Sequence, residues 1–354
     1  MAKMAFVEGF ELGSSMTELA TLSENPWQVS QYVGNNSTIS LAASTMGNAG
    51  RSLQMQIYPS STTSSLYPSI GAVTTIPFST MAIGTQFSLG WRGRINTSKG
   101  ANIGWSILSN PAVSIVAGLQ MASATPSGST YNFYFGTGVV GSVAIPDVNP
   151  HYFTMCAQKV ATNVWNVQFY IDITRVLNLS SVSASLPDNM IYYPHFGNGG
   201  TTTVQGNIFA EMDDIYIDTT APLGDINVLR LTPNADVQAQ WTRFGTGVTT
   251  NYGAVNKVTN DDTTGVFGVA GNADLYSVSD VMPAGRRLYA TKGTVAGYGQ
   301  GTDLVQANVK IGSTLVNGTA TAQSPFGSVS STGWDNSVVG LNVASLQFGM
   351  TKTA

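Results

Sequence analysis

Between Thr162 and Ile173 the chain reads TNVWNVQFYIDI. Trp165, Val167, Phe169 and Ile171 share one parity, and Asn166, Gln168, Tyr170 and Asp172 share the other. That period of two predicts a strand of an antiparallel sheet with one face buried. Similar short runs recur at 38–41, 52–57, 86–91, 102–107, 114–116, 131–135, 152–155 and 191–193, and the opening residues 5–11 read as a further strand. Turn clusters separate them at the spacing of a β-sandwich. One stretch, Met16 to Glu24, carries helix signals: Ser15 and Glu18 stand at capping-box spacing and Asn25-Pro26 ends the run. Helical periodicity is not sustained elsewhere. The predicted fold class is all-β, and an α/β enzyme fold is excluded.

The run IFAEMDDIYID, 208–218, reads as the closing strand of a first domain, and the Pro and Gly of TTAPLG, 219–224, stop the ladder. This predicts one domain over 1–220 and a smaller β-sandwich domain over 221–354. In the second, residues 229–280 alternate short apolar runs with polar turns: PNAD at 233–236, NYG at 251–253, NDDTT at 260–264 and Gly271-Asn272. Asn, Asp and Thr bond their own backbone where the chain reverses. Trp241 is the aromatic anchor of this stretch. Later strands are expected near 287–291, 304–310 and 343–348, and 318–340 reads as mostly loop.

Composition sharpens the picture. Hydrophobic residues make up 43% of the 354 residues, ample for two cores, whereas charged residues make up 10%, far below the roughly 25% of ordinary soluble domains. Weak self-repulsion favours assembly over life as a dilute monomer. With a net charge of −4 and only small basic clusters at Arg92/Arg94 and Arg286-Arg287, a phosphate-tracking groove and nucleic-acid binding are excluded. The single Cys156 leaves no partner for an internal disulfide and no multi-cysteine zinc site, and reads as a buried, inert thiol. The opening MAKMAFVEGF has no apolar h-region and no run approaches a membrane span, so an unexported, non-membrane product is expected.

Candidate chemistry is sparse. His151 and His195 are the only histidines and no G-x-S-x-G occurs, so no catalytic residue is assigned and a non-enzyme is expected. Glu211, Asp213, Asp214 and Asp218 crowd one strand. Strict alternation places Glu211 and Asp213 on one face, with Asp214 and Asp218 on the other. A glycosidase would need two such carboxyls across a cleft, with Glu8 or Glu11 as the partner, while acids on an exposed strand face serve solubility. Calcium, an oxygen-seeking ion, has two candidate sites, Asp213 with Asp214 and Asp261 with Asp262; for the latter, turn capping competes. Tyr192-Tyr193 followed by Pro194-His195 and a Gly-rich run is the candidate glycan-binding feature, through Tyr192, Tyr193 and His195.

The first part of the chain resembles concanavalin-type (laminin-G-like) jelly rolls in the order VEGFE, NAGRSLQM, TQFSLGWRGRI, WNVQFYID and MDDIYIDT. That resemblance implies that the opening and closing strands lie side by side, with Phe6–Phe10 beside Ile215–Ile217. The order of GDINVLRLTPNAD, QWTRFG, NDDTTGVFGVAGNADLYSVSD and NVASLQFGM is similar to tailed-bacteriophage virion structural or minor tail proteins. It implies a structural component of a virion, made in the host cytoplasm, acting in tail, neck or capsid decoration. Its partners would be copies of itself and other virion proteins. The alternatives from other classes are an adhesin that binds host-surface glycans, with calcium as its possible ion, and a glycan hydrolase.

Overall fold

The computed structural model describes residues 4–9, 28–30, 37–47, 50–57, 69–75, 78–97, 103–108, 115–125, 128–136, 138–186, 189–196, 208–218, 223–226, 228–256, 263–278, 289–297, 302–322, 328–335 and 346–354. The predicted helix at 16–24, the turn Asp261-Asp262 and Glu11 lie outside these residues. The chain separates into two compact units, the first running to Leu229 and the second over Arg230–Ala354.

The first unit contributes β1 (Met4–Glu8), β2 (Gln28–Ser30), β3 (Ser37–Ala43), β4 (Arg51–Ile57), β5 (Ser69–Thr75), β6 (Gln86–Thr97), β7 (Ile103–Leu108) and β8 (Ile115–Thr125). It continues with β9 (Gly128–Phe135), β10 (Gly138–Ile145), β11 (His151–Ala161), β12 (Val164–Ile171), β13 (Thr174–Ser183), β14 (Asn189–Phe196) and β15 (Ile208–Asp218). One sheet has the order β13-β12-β11-β6-β15-β4-β3, with β1 also on β15, and the other has β10-β9-β8-β7-β14-β5-β2. The pairings are antiparallel throughout. The sheets pack face to face as a jelly-roll sandwich, so the all-β prediction holds. Phe6 pairs with Ile217 and Glu8 with Ile215, the adjacency that the jelly-roll resemblance implied.

The alternation in TNVWNVQFYIDI is realised in β12. Trp165, Val167 and Phe169 are buried in the core with Phe87, Leu89, Trp91, Phe153 and Met155 of neighbouring strands and Phe133 and Phe135 of the opposite sheet. Phe133 and Phe169 meet across the sandwich with ring centroids 4.3 Å apart. Aromatic contacts of this kind dominate core energetics. Two-residue loops join β11 to β12 and β12 to β13, with Asn163 at φ 55° and Asp172 at φ 56°. Tight hairpins demand positive φ, and Asn and Asp accept it.

The second unit holds β16 (Pro233–Ala239), β17 (Thr242–Phe244), α1 (Asn251–Val255), β18 (Gly265–Phe267), β19 (Ala273–Val278), β20 (Ala290–Gly297), β21 (Leu304–Ile311), β22 (Thr314–Asn317), β23 (Thr321–Ala322), β24 (Ser328–Asp335) and β25 (Leu346–Lys352). Its main sheet has the order β16-β19-β25-β21-β22, with β23 on β21, and β17–β18 and β20–β24 form two-stranded ribbons. The motifs at 233–278 converge on one buried carboxylate. Asp274 accepts from the backbone N–H groups of Gln240 (2.6 Å) and Trp241 (2.9 Å), from Asn251 Nδ2 (2.8 Å) and from the Tyr276 hydroxyl (2.8 Å). Asp236 accepts the N–H groups of Asn251 and Tyr252 at the start of α1. Trp241 Nε1 donates to the Asn272 carbonyl. The spacing of these motifs therefore encodes a folding staple.

Candidate functional site: a carboxamide groove on the jelly roll

Because Phe153, Met155, Trp165, Val167 and Phe169 point into the sandwich, residues of the other parity form the outward face of the eight-stranded sheet. Register fixes their rows. Gln158 lies opposite both Gln86 and Asn166, while Cys156 lies opposite both Ser88 and Gln168, and Gln168 lies opposite Asn178. All of these but Ser88 line an open groove of about 210 Å³ bounded by Gln86, Cys156, Gln158, Asn166, Gln168, Asn178, Leu179 and Ser180. Five of the eight are carboxamides and none is charged.

Internal hydrogen bonds hold the carboxamides in place. Gln168 Nε2 donates to Asn178 Oδ1 (3.1 Å), and the Tyr170 hydroxyl donates to Gln168 Oε1 (2.7 Å). Gln158 Nε2 donates to the Gly84 carbonyl, and Asn166 Oδ1 accepts from the N–H of Ser181, a residue at φ 57°. A carboxamide offers two donors and two acceptor lone pairs, so each keeps capacity for a ligand. Burial pushes the Cys156 thiol at the groove floor up to about 11. It stays protonated at neutral pH, in keeping with the inert thiol expected.

Farther along the same face the chemistry changes to buried charge. Glu211, 1% exposed, accepts from Thr45 N (2.8 Å), Thr45 Oγ1 (2.6 Å), Ser52 Oγ (2.5 Å), Gln54 Nε2 (3.3 Å) and Arg94 Nε (3.0 Å). The carboxylate considered for hydrolysis is a structural tie between β15, β4, β6 and the loop after β3. Asp214 accepts from Arg92 Nε (3.0 Å) and from the Val228 N–H (2.7 Å), and Arg92 also pairs with Asp225. Burial holds the Asp214 carboxyl above its usual range, against the pull of the Val228 N–H and Arg92. Desolvation opposes the Arg92 charge, yet Asp214 and Asp225 together raise its pKa.

Strict alternation along 211–218 fails here. The register slips between Asp213 and Tyr216, with Asp214 at φ 50°. This bulge puts Asp214 on the face of Glu211, since the two pair with Arg92 and Arg94, which stand two residues apart on β6. Asp213 caps the Asp214 N–H at 2.7 Å and is itself buried. Among the described residues no group of three or more His, Cys, Asp or Glu side chains converges as a metal site. Tyr216 lies flat over Gly90, where a Cβ would fall 2.2 Å from its ring, and its hydroxyl accepts the Leu223 N–H. Leu223, Asp225 and Val228 are thus pinned to the first unit, and the division of the chain falls after them.

The structure places the other sequence candidates apart from the groove. Tyr192, Tyr193 and His195 lie on β14, an interior strand of the seven-stranded sheet paired with β7 and β5. Pro194 and His195 continue the same strand. His151 opens β11, its Nδ1 3.0 Å from Asp172 and its Nε2 3.0 Å from Asp147. Burial opposes its charge, but the two carboxylates raise its pKa above 6.5. Sequence reasoning singled out none of Gln86, Gln158, Asn166, Gln168 and Asn178 as site residues. The available signal was the uncharged polar parity of Asn166, Gln168 and Tyr170, on a strand face where charges are usual.

No protein-family model matches the chain, and no curated protein does. Solved structures similar to it include an endo-β-1,4-glucuronan lyase from the fungus Trichoderma reesei, at 14% identity over 62% of this chain and 96% of that one, TM-score 0.39. A carbohydrate esterase from the Shiga toxin-encoding bacteriophage phi24B matches at 9% identity over 62% and 100%, TM-score 0.39. An alginate lyase from Aplysia kurodai matches at 9% identity over 61% and 98%, TM-score 0.38. The expectation of a non-enzyme is corrected by these findings: the similar structures are named as polysaccharide lyases and a carbohydrate esterase. At such identities and TM-scores no activity passes from them to this chain.

Proposed function

We propose that the protein recognises glycans, as an adhesin for host-surface carbohydrate, with the groove on the eight-stranded sheet as its sugar-binding site. The observation that carries this reading is the groove's lining of Gln86, Gln158, Asn166, Gln168 and Asn178. Sugar hydroxyls both donate and accept, and so do carboxamides. Side chains already fixed by an internal bond lose little further freedom on binding. A net gain of about 0.5–1.5 kcal/mol per hydrogen bond gives weak single contacts. Many copies on one particle would raise avidity without new contacts. The tailed-phage virion, suggested by the sequence resemblance, would supply those copies.

The test is binding of the full chain to a glycan array, followed by titration calorimetry and an assay for product release on each bound glycan. Binding that Gln158→Ala and Gln168→Ala abolish, with unchanged melting temperatures, supports the reading. Failure to bind any glycan, or binding untouched by both substitutions, overturns it. Product release would extend the role from recognition to processing.

One observation favours a subunit-contact role as well. Phe244, Phe267 and Val269 are exposed on the second unit, and Phe244 and Phe267 share one face of the β17–β18 ribbon. Large exposed apolar side chains grouped on one face mark contact surfaces, and copies of this chain in a particle would cover them. Sedimentation of the wild type against a Phe244→Ser/Phe267→Ser variant tests this second reading; unchanged association sinks it.

A further inference from the structure

We infer that the groove selects uncharged sugars, hexoses or N-acetylhexosamines, and rejects uronates. The inference rests on the proposed glycan-binding role and names its ligand class. No lining residue carries charge, and the Cys156 thiol on the floor stays protonated. Of the cations on this face, Arg92 and Arg94 are committed elsewhere. Arg92 is bound to Asp214 and Asp225, and Arg94 to Glu211. Lys159, on the intervening strand, points the other way and donates to the carbonyls of Phe78 and Ser79. Arg175 is exposed opposite Tyr170, outside the lining.

A carboxylate in the groove would give up water for carboxamide N–H groups alone, beside acceptor oxygens such as those of Gln86 and Gln158, with no lining cation. Burying a charge without a partner is costly. A neutral sugar meets no such penalty, since its hydroxyls can pair with carboxamides as donors or as acceptors. The register adds spacing: side chains repeat about 4.8 Å apart across the strands and about 7 Å apart along them. From β6 to β13 this gives about 14 Å of polar face, while the groove itself, about 210 Å³, is sized for a single sugar ring, with any further ring lying on the open face. Leu179 supplies one apolar contact, suited to an acetamido methyl or a sugar ring edge.

The experiment titrates the full chain with chito-, malto- and manno-oligosaccharides and with oligoalginate and oligoglucuronate at low and high salt. We expect at least one neutral series to bind about tenfold more tightly than either uronate series, with little salt dependence. In Gln158→Lys the preference should swing towards uronates and become salt-sensitive, because the substitution supplies the missing cation. Uronates bound preferentially by the wild type, and lost in Gln168→Ala, would overturn the inference while leaving glycan recognition intact. Absence of binding to every series would remove both. Melting temperatures of the variants confirm that each is folded.

Discussion

The Arg94 guanidinium sits 3.0 Å from the Glu211 carboxylate, and that pair, with Thr45 and Ser52, seals a charge in the outward face of the jelly roll. Removing one member of a buried pair costs about 3–5 kcal/mol, because the remaining charge keeps its desolvation without its partner. Arg94 is partly solvated, so Glu211→Ala should fall near the lower end. Urea unfolding followed by circular dichroism will measure it. A loss under about 1 kcal/mol, the range of exposed pairs, would show that the tie carries no weight.

His151 makes a pH-dependent clamp between the loop after β10 and the turn after β12. Its folded pKa is raised, so its stabilising effect is fully present below about 6.5 and fades as pH rises through the folded value. Asp147 is lowered, first by the Asn149 N–H and then by His151, so its share is present above about 3.9 and is lost as pH falls through the folded value. The clamp is tightest between the two limits. An NMR titration of the imidazole should give a midpoint above 6.5, and His151→Gln should flatten the melting profile across neutral pH.

Cys156 should resist alkylation in the folded protein. With its pKa pushed up to about 11, about one thiol in a thousand is ionised at pH 8. Iodoacetamide should label it slowly until the sandwich is unfolded, and a bound oligosaccharide should slow labelling further. Rapid labelling of the native protein would contradict the buried, neutral thiol.

In the second unit, Asp274→Ala would strip acceptors from Gln240, Trp241, Asn251 and Tyr276 at once. Each buried group left unpaired costs about 1–3 kcal/mol, so the region around β16 to β19 should unfold or become exchange-competent. Hydrogen exchange at the Gln240 and Trp241 amides is the direct readout. Asp274→Asn, which keeps one carbonyl oxygen, should be milder.

The sequence was most informative where one rule acted alone. Period-two burial in 164–171 marked a one-face strand, and Trp165, Val167 and Phe169 are its buried side. The pairing of Phe6 with Ile217 was legible through the jelly-roll resemblance. The acidic strand was misread because a bulge at Asp214 breaks the alternation on which the reading depended. A bulge inserts one residue without leaving a composition signature. The groove was hidden for another reason: Gln86, Gln158, Gln168 and Asn178 come from four strands and become neighbours only through register. The staple around Asp274 shows the converse, where spaced motifs that invite a functional reading serve the backbone.

The attachment of Leu223, Asp225 and Val228 back to the first unit has a mechanical consequence. Leu223 and Val228 donate to Tyr216 and Asp214, side chains on the strand just left behind, and Asp225 engages Arg92 on the neighbouring β6. β15 itself is gripped along both edges, by β6 on one side and by β4 and β1 on the other. Tension arriving along the chain at residue 230 therefore loads a few polar links before any backbone ladder. The segment would yield first, paying out length while the sandwich stays shut, as a shock absorber does. A single-molecule pulling trace should show a short, low-force extension ahead of jelly-roll rupture; rupture in one step would count against it.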